Sequence, residues 1–132
     1  GSNPYKVGAV AECRTAREII QRLGTGQGAT ILGIYWTTGL AEYDGRKPIT
    51  LPLGGRNLGG HALCACDYEV QGGRKFVRIW NSHGADWGDH GTMLVAADLV
   101  DNWLQAMPFG AYTVTGLQGF AKRPFQFEGI WG

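Results

Sequence analysis

Two stretches hold the residues most able to do chemistry: "GGHALCACDYE" at 59–69 and "IWNSHGADWGDHG" at 79–91. His61 opens one apolar run and Asn81 closes the next. An amide oxygen that accepts from one imidazole nitrogen fixes the ring's tautomer and orientation, as a third group does for a catalytic base. Gly59 and Gly60 precede His61 and let the backbone bend and another group come close. The plain alternative is a satisfied histidine at a strand start. A His and an Asn delivered this way suit a cysteine-nucleophile site, so the question is which thiol they would serve.

The chain has three cysteines, Cys13, Cys64 and Cys66. Side chains alternate faces along a strand, so His61, Leu63 and Ala65 point one way and Ala62, Cys64 and Cys66 the other. Cys64 and Cys66 then read as small buried hydrophobes. Cys13 lies just before a helix, and a helix N-terminus or an imidazole favours the thiolate. However, Thr15 is the expected N-cap, which leaves Cys13 two positions outside, where the helix dipole helps least. Ser82, directly after Asn81, is a further hydroxyl. His83, Asp86, Asp89 and His90 share a glycine-rich loop and could bind zinc or a harder cation. Their spacing fits no metal signature and loop aspartates usually make turn hydrogen bonds, so neither metal nor cofactor is expected.

These side chains need elements to position them. Thr15 followed by Glu18 is a capping box, and Ala16, Ile19, Ile20 and Leu23 form one apolar stripe, predicting a helix over 16–23 with Gly24 as its C′ residue. "ATILGIYW" at 29–36 reads as a buried strand. Residues 39–60, with their glycines and prolines, form a long loop holding one short strand at "ITLPL". "HALCACDYEV", a "QGGR" turn and "KFVRIWN" make an antiparallel hairpin. Arg74, Lys75 and Arg78 read as a solvated strand edge. "GTMLV" is a short strand. Ala96, Leu99, Val100, Trp103, Leu104 and Met107 trace a second helix stopped by Pro108, and "AYTVTGLQ" is the last strand.

The order predicts an α+β fold, a twisted antiparallel β-sheet or small barrel with two short helices. Gly1 and Ser2 look like a tag scar, residues 3–119 form the domain, and 120–132 are an aromatic tail that packs back or docks on a neighbour. The chain is 132 residues with net charge +1 and scattered Lys and Arg, which gives no footprint for nucleic acid or an anionic membrane. Its 22 glycines, far above the usual share of about 7%, imply many turns. No apolar run nears the ~20 residues of a membrane span. Three cysteines, an odd number, favour a reducing compartment over a disulfide framework.

"GGHAL…DYEV…KFVRIWNSHGADWGDHG" resembles the C-terminal, His- and Asn-bearing half of the papain-like (family C1) cysteine peptidases. "TAREIIQRLGTGQGATILGIYW" resembles that half's helix-then-strand lead-in, so the likeness runs over about residues 5–95. It implies that His61 is the general base, Asn81 its orienting partner, and Trp87, Gly88 and Gly91 the tryptophan–glycine loop of the binding region, with Gly59 and Gly60 beside it. Two departures stand out. The family's cysteine lies on a long helix of the other half, and nothing here resembles that stretch. After "NS" comes His83, where the family has a tryptophan that shields the His–Asn bond. The resemblance therefore implies a papain-like domain without a nucleophile at the family position, inactive in isolation and serving as a binding or structural module of a larger protein. The alternative is an active peptidase whose nucleophile lies upstream or at Cys13. Its partners would be a peptide or protein ligand and a second domain or chain.

Overall fold

A computed structural model describes residues 9–26, 29–81, 84–106 and 110–115. Six antiparallel strands run in chain order: β1 (Ala9–Cys13), β2 (Ala29–Thr37), β3 (Asn57–Gln71), β4 (Arg74–Trp80), β5 (Thr92–Ala96) and β6 (Ala111–Thr115). They form one open sheet in the order β1-β6-β2-β3-β4-β5. Of the sheet or barrel expected, the sheet is what forms. Three helices stand among the described residues, α1 (Ala16–Gly24), α2 (Thr38–Ala41) and α3 (Ala97–Ala106), one more than the sequence suggested. None is long and apolar enough to cross a membrane.

Alternation decides what is inside. Leu32, Ile34, Leu63, Ala65, Val77, Ile79, Met93 and Val95 share one sheet face and are fully or nearly fully buried. Ile19 and Ile20 of α1 and Leu99, Val100 and Leu104 of α3 join the same core. Each fully buried aliphatic side chain of this kind contributes about 1.5–3 kcal/mol. The two helices are also tied directly, since Asp101 on α3 accepts from the Ala16 N–H in the first turn of α1 at 2.7 Å. That supplies an acceptor to one of the free donors every helix start carries.

The Thr15 half of the capping box forms: its hydroxyl accepts from the Glu18 N–H at 3.2 Å. Glu18 reaches back one residue further than expected, to the Arg14 N–H. The helix also runs through Gly24 and ends on Thr25, and the left-handed residue is Gly26 at φ +67°. In place of a short strand at 49–53 there is one bridge, Ile49 to Val95. The β3–β4 turn is as expected. Gly72 and Gly73 both have positive φ, as a two-residue hairpin turn requires.

The expected solvated edge is a correction. β4 is flanked by β3 and β5, and Arg78 is only 24% exposed, paired with Glu69 at 2.6 Å and Asp89 at 3.2 Å. Burial alone would lower its pKa, but the two carboxylates outweigh it and hold the charge. Arg74 pairs with Asp98 and lies over the Phe76 ring. Met107, Pro108, the 120–132 tail and the Gly1–Ser2 pair fall outside the described residues.

Candidate active site

His61 and Asn81 arrive from adjacent strands. β3 carries His61 on the core face near its start, where it pairs with Ile34 of β2. Asn81 follows the last residue of β4, with its N–H held by the Gly91 carbonyl at 2.9 Å. His61 Nε2 donates to Asn81 Oδ1 at 2.8 Å. An amide oxygen can only accept, so a proton sits on Nε2. Asn81 is 1% exposed while His61 is half-buried, so the pair is anchored inside and opens outward. The second Asn81 amide atom, Nδ2, is buried and has no acceptor among the described residues.

Aromatic rings form one wall of the site. Trp36, 6% exposed, lies with its ring centre 4.8 Å from the imidazole, and Trp87 packs on Trp36 at 5.5 Å. Tyr43 packs on Trp87 from the other side at 5.8 Å. Trp87 Nε1 donates to the Leu40 carbonyl of α2 at 3.0 Å. Close backbone packing holds this arrangement: a side chain on Gly45 would collide with the Gly88 backbone. Burial, with Asp89 and Asp44 nearby, raises the Tyr43 pKa and keeps its phenol neutral.

The expected binding residues are placed differently from one another. Trp87 was expected at the binding region but is 9% exposed and packed in the core, where its indole braces the wall. Gly59 has φ +112°, and a side chain there would meet nothing within 4 Å. Its glycine therefore serves the backbone conformation and not a close approach. Gly60 is exposed on β3 opposite Tyr35.

The thiols are not brought to the imidazole. Cys13 is 1% exposed at the far side of the sheet and shares a hydrogen bond with Thr113 Oγ1 at 3.2 Å. β6 and β2 stand between β1 and β3, which puts Cys13 about 14 Å from the His61 strand. Cys64 is on the opposite face of β3 from His61, and Cys66 is the extra residue of a bulge. Burial pushes the Cys64 thiol up to about 12, with Cys66 adding to it, and burial and Asp67 push Cys66 up to about 11. Ser82 and His83 lie outside the described residues. Of the loop carboxylates, Asp89 is engaged by His90 and Arg78, both of which lower its pKa. Among the described residues no three metal-ligating side chains converge.

Sequence reasoning missed Trp36. It sits diagonally from His61 across the β2–β3 pair, two residues along from Ile34. Such diagonal neighbours lie about 7–8 Å apart, within reach of an aromatic side chain. Only a strand register could have revealed it, and the run 29–36 does not carry one.

This open sheet, with two helices on one face and a His–Asn pair at the end of adjacent strands, has the fold of the papain-like cysteine peptidases, and specifically of their C-terminal half. The solved structures it resembles include the bromelain protease of Ananas comosus in complex with the E64 inhibitor, at 18% identity and a TM-score of 0.67. Digestive procathepsin L 3 of Tenebrio molitor larval midgut follows at 16% and 0.67, and proCathepsin B S9 of Trypanosoma congolense at 17% and 0.60. The matches cover 86%, 83% and 84% of this chain, but 53%, 36% and 36% of those chains. The chain thus spans about half or less of the proteins it resembles, and the likeness is one of fold. No protein-family model and no curated protein sequence matches it.

Proposed function

We propose that this chain is the base-bearing half of a cysteine-peptidase-type acyl-transfer site, inactive in isolation and acting alone as a binding or structural module for a peptide or protein ligand. The observation that carries this is the 2.8 Å bond from His61 Nε2 to the buried Asn81 Oδ1. It holds the ring in the tautomer whose Nδ1 can accept a proton. None of the three cysteines stands beside that ring, so the thiol would come from a second segment or chain.

With that thiol in place, His61 takes its proton, and the thiolate attacks the peptide carbonyl. As the C–S bond forms and the C–N bond breaks, His61 returns the proton to the leaving amine. Water then gives a proton to His61, attacks the thioester and releases the acid and the thiol. Asn81 keeps the imidazolium oriented throughout.

The test is alkylation of the native chain by iodoacetamide from pH 5 to 9, with each cysteine located by mass spectrometry. All three thiols are expected to label slowly and to ignore His61→Ala. At pH 7 a thiol with a pKa near 12 is thiolate in only about one molecule in 10⁵. Fast labelling of Cys13 that depends on His61 would overturn the reading and make the chain a peptidase on its own.

A further inference from the structure

Trp36 packs against the base from the neighbouring strand, and this contact does more than fill the core. We propose that Trp36 is a positioning residue for His61, keeping water off the Nε2–H···Oδ1 bond and fixing the ring plane. The inference rests on the base role given to His61 above.

The wall is built to hold the indole still. Trp36 is clamped between His61 and Trp87, and Trp87 is in turn fixed by its hydrogen bond to Leu40 and by Tyr43 behind it. The residue directly across from Trp36 on β3 is Gly59, which offers no side chain. The imidazole is the ring's diagonal neighbour on β3. An apolar ring 4.8 Å from the imidazole lowers the local dielectric, which strengthens a made hydrogen bond and excludes the water that would compete for the Nε2 proton. A tryptophan on the β2 side thus does the shielding, where the residue directly after Asn81–Ser82 is His83.

The experiment follows the side-chain Nε2–H of His61 by ¹H–¹⁵N spectroscopy on the full chain, in the wild type and in Trp36→Phe, Trp36→Ala and Asn81→Ala. Backbone amide spectra of the strands report whether each variant remains folded. The wild type is expected to show a slowly exchanging Nε2–H. Trp36→Ala should speed its exchange roughly tenfold or more, and Trp36→Phe, which keeps an aromatic wall, by a smaller factor. If Trp36→Ala does not fold, Trp36→Phe decides, because a smaller ring leaves a gap at the bond. Wild-type exchange in whichever folded Trp36 variant decides would overturn the inference. The Asn81→Ala arm separates the two claims. If the protected proton survives there, the His–Asn reading fails, and if it is lost there but kept in the Trp36 variants, only the role of Trp36 fails.

Discussion

At the β1 edge of the sheet, Cys13, Thr113 and Thr30 form a chain of buried polar atoms, with Sγ to Oγ1 at 3.2 Å and Oγ1 to Oγ1 at 2.9 Å. At the end of β3 and β4, His61 and Asn81 form another buried polar contact, at 2.8 Å. The edge chain is closed, with all three members buried and every polar end turned on a neighbour inside the fold. The other pair has one buried member and one half-buried, so it reaches toward the surface. A nucleophile or base must keep one end available to a reactant. By that measure the edge thiol is part of the packing, and the half-buried imidazole suits the base role proposed for it.

The comparison can be broken most forcefully at the wall. Trp87→Ala removes the indole that braces Trp36 and the bond to Leu40, and should cost about 3–5 kcal/mol in denaturant unfolding. A loss below about 1 kcal/mol would mean that the wall does not hold the site.

Cys13→Ala should be milder, about 1 kcal/mol, because Thr113 keeps its bond to Thr30. The His61 ring signals should stay unchanged, since sites this far apart act independently. A shifted imidazole resonance in that variant would link the two ends of the sheet.

The smallest effect concerns the Arg78–Asp89 pair that ties the 84–91 loop to β4. Its partners lower the Asp89 pKa, so the pair adds stability above the unfolded value of about 3.9 and loses it as pH falls through the folded value. The Asp89 side chain is 42% exposed, so after screening the contribution is under about 1 kcal/mol. Asp89→Asn should lower the unfolding midpoint slightly at pH 7 and leave it unchanged at pH 2. Equal losses at both pH values would assign the effect to packing.

Periodicity and punctuation made much of this legible. The α1 stripe, the glycine turn at 72–73 and the β3–β4 hairpin follow from local chemistry, and the hairpin was enough to set His61 beside Asn81. It also put Cys64 on the wrong face for His61. What stayed hidden depends on strand order. That β6 pairs with both β1 and β2 is not encoded in any single stretch, so neither the separation of Cys13 from His61 nor the reach of Trp36 could be read. Arg78 looked like a surface cation because its carboxylates come from Glu69 and from a loop eleven residues on.

The strand order also sets a timetable for folding. Among the described strands β1 pairs only with β6, and β2 finds its second neighbour only in β6, although more than seventy residues separate β2 from that strand. During synthesis β2, β3, β4 and β5 can zip together as each emerges, while β1, made before them, waits for β6. Until then β2 presents an unpaired edge rich in Ile, Leu and aromatic residues, a template for pairing with other copies. A chaperone or a slow ribosome would matter most in that interval, and a nascent chain stalled before Ala111 would be the species most prone to aggregate.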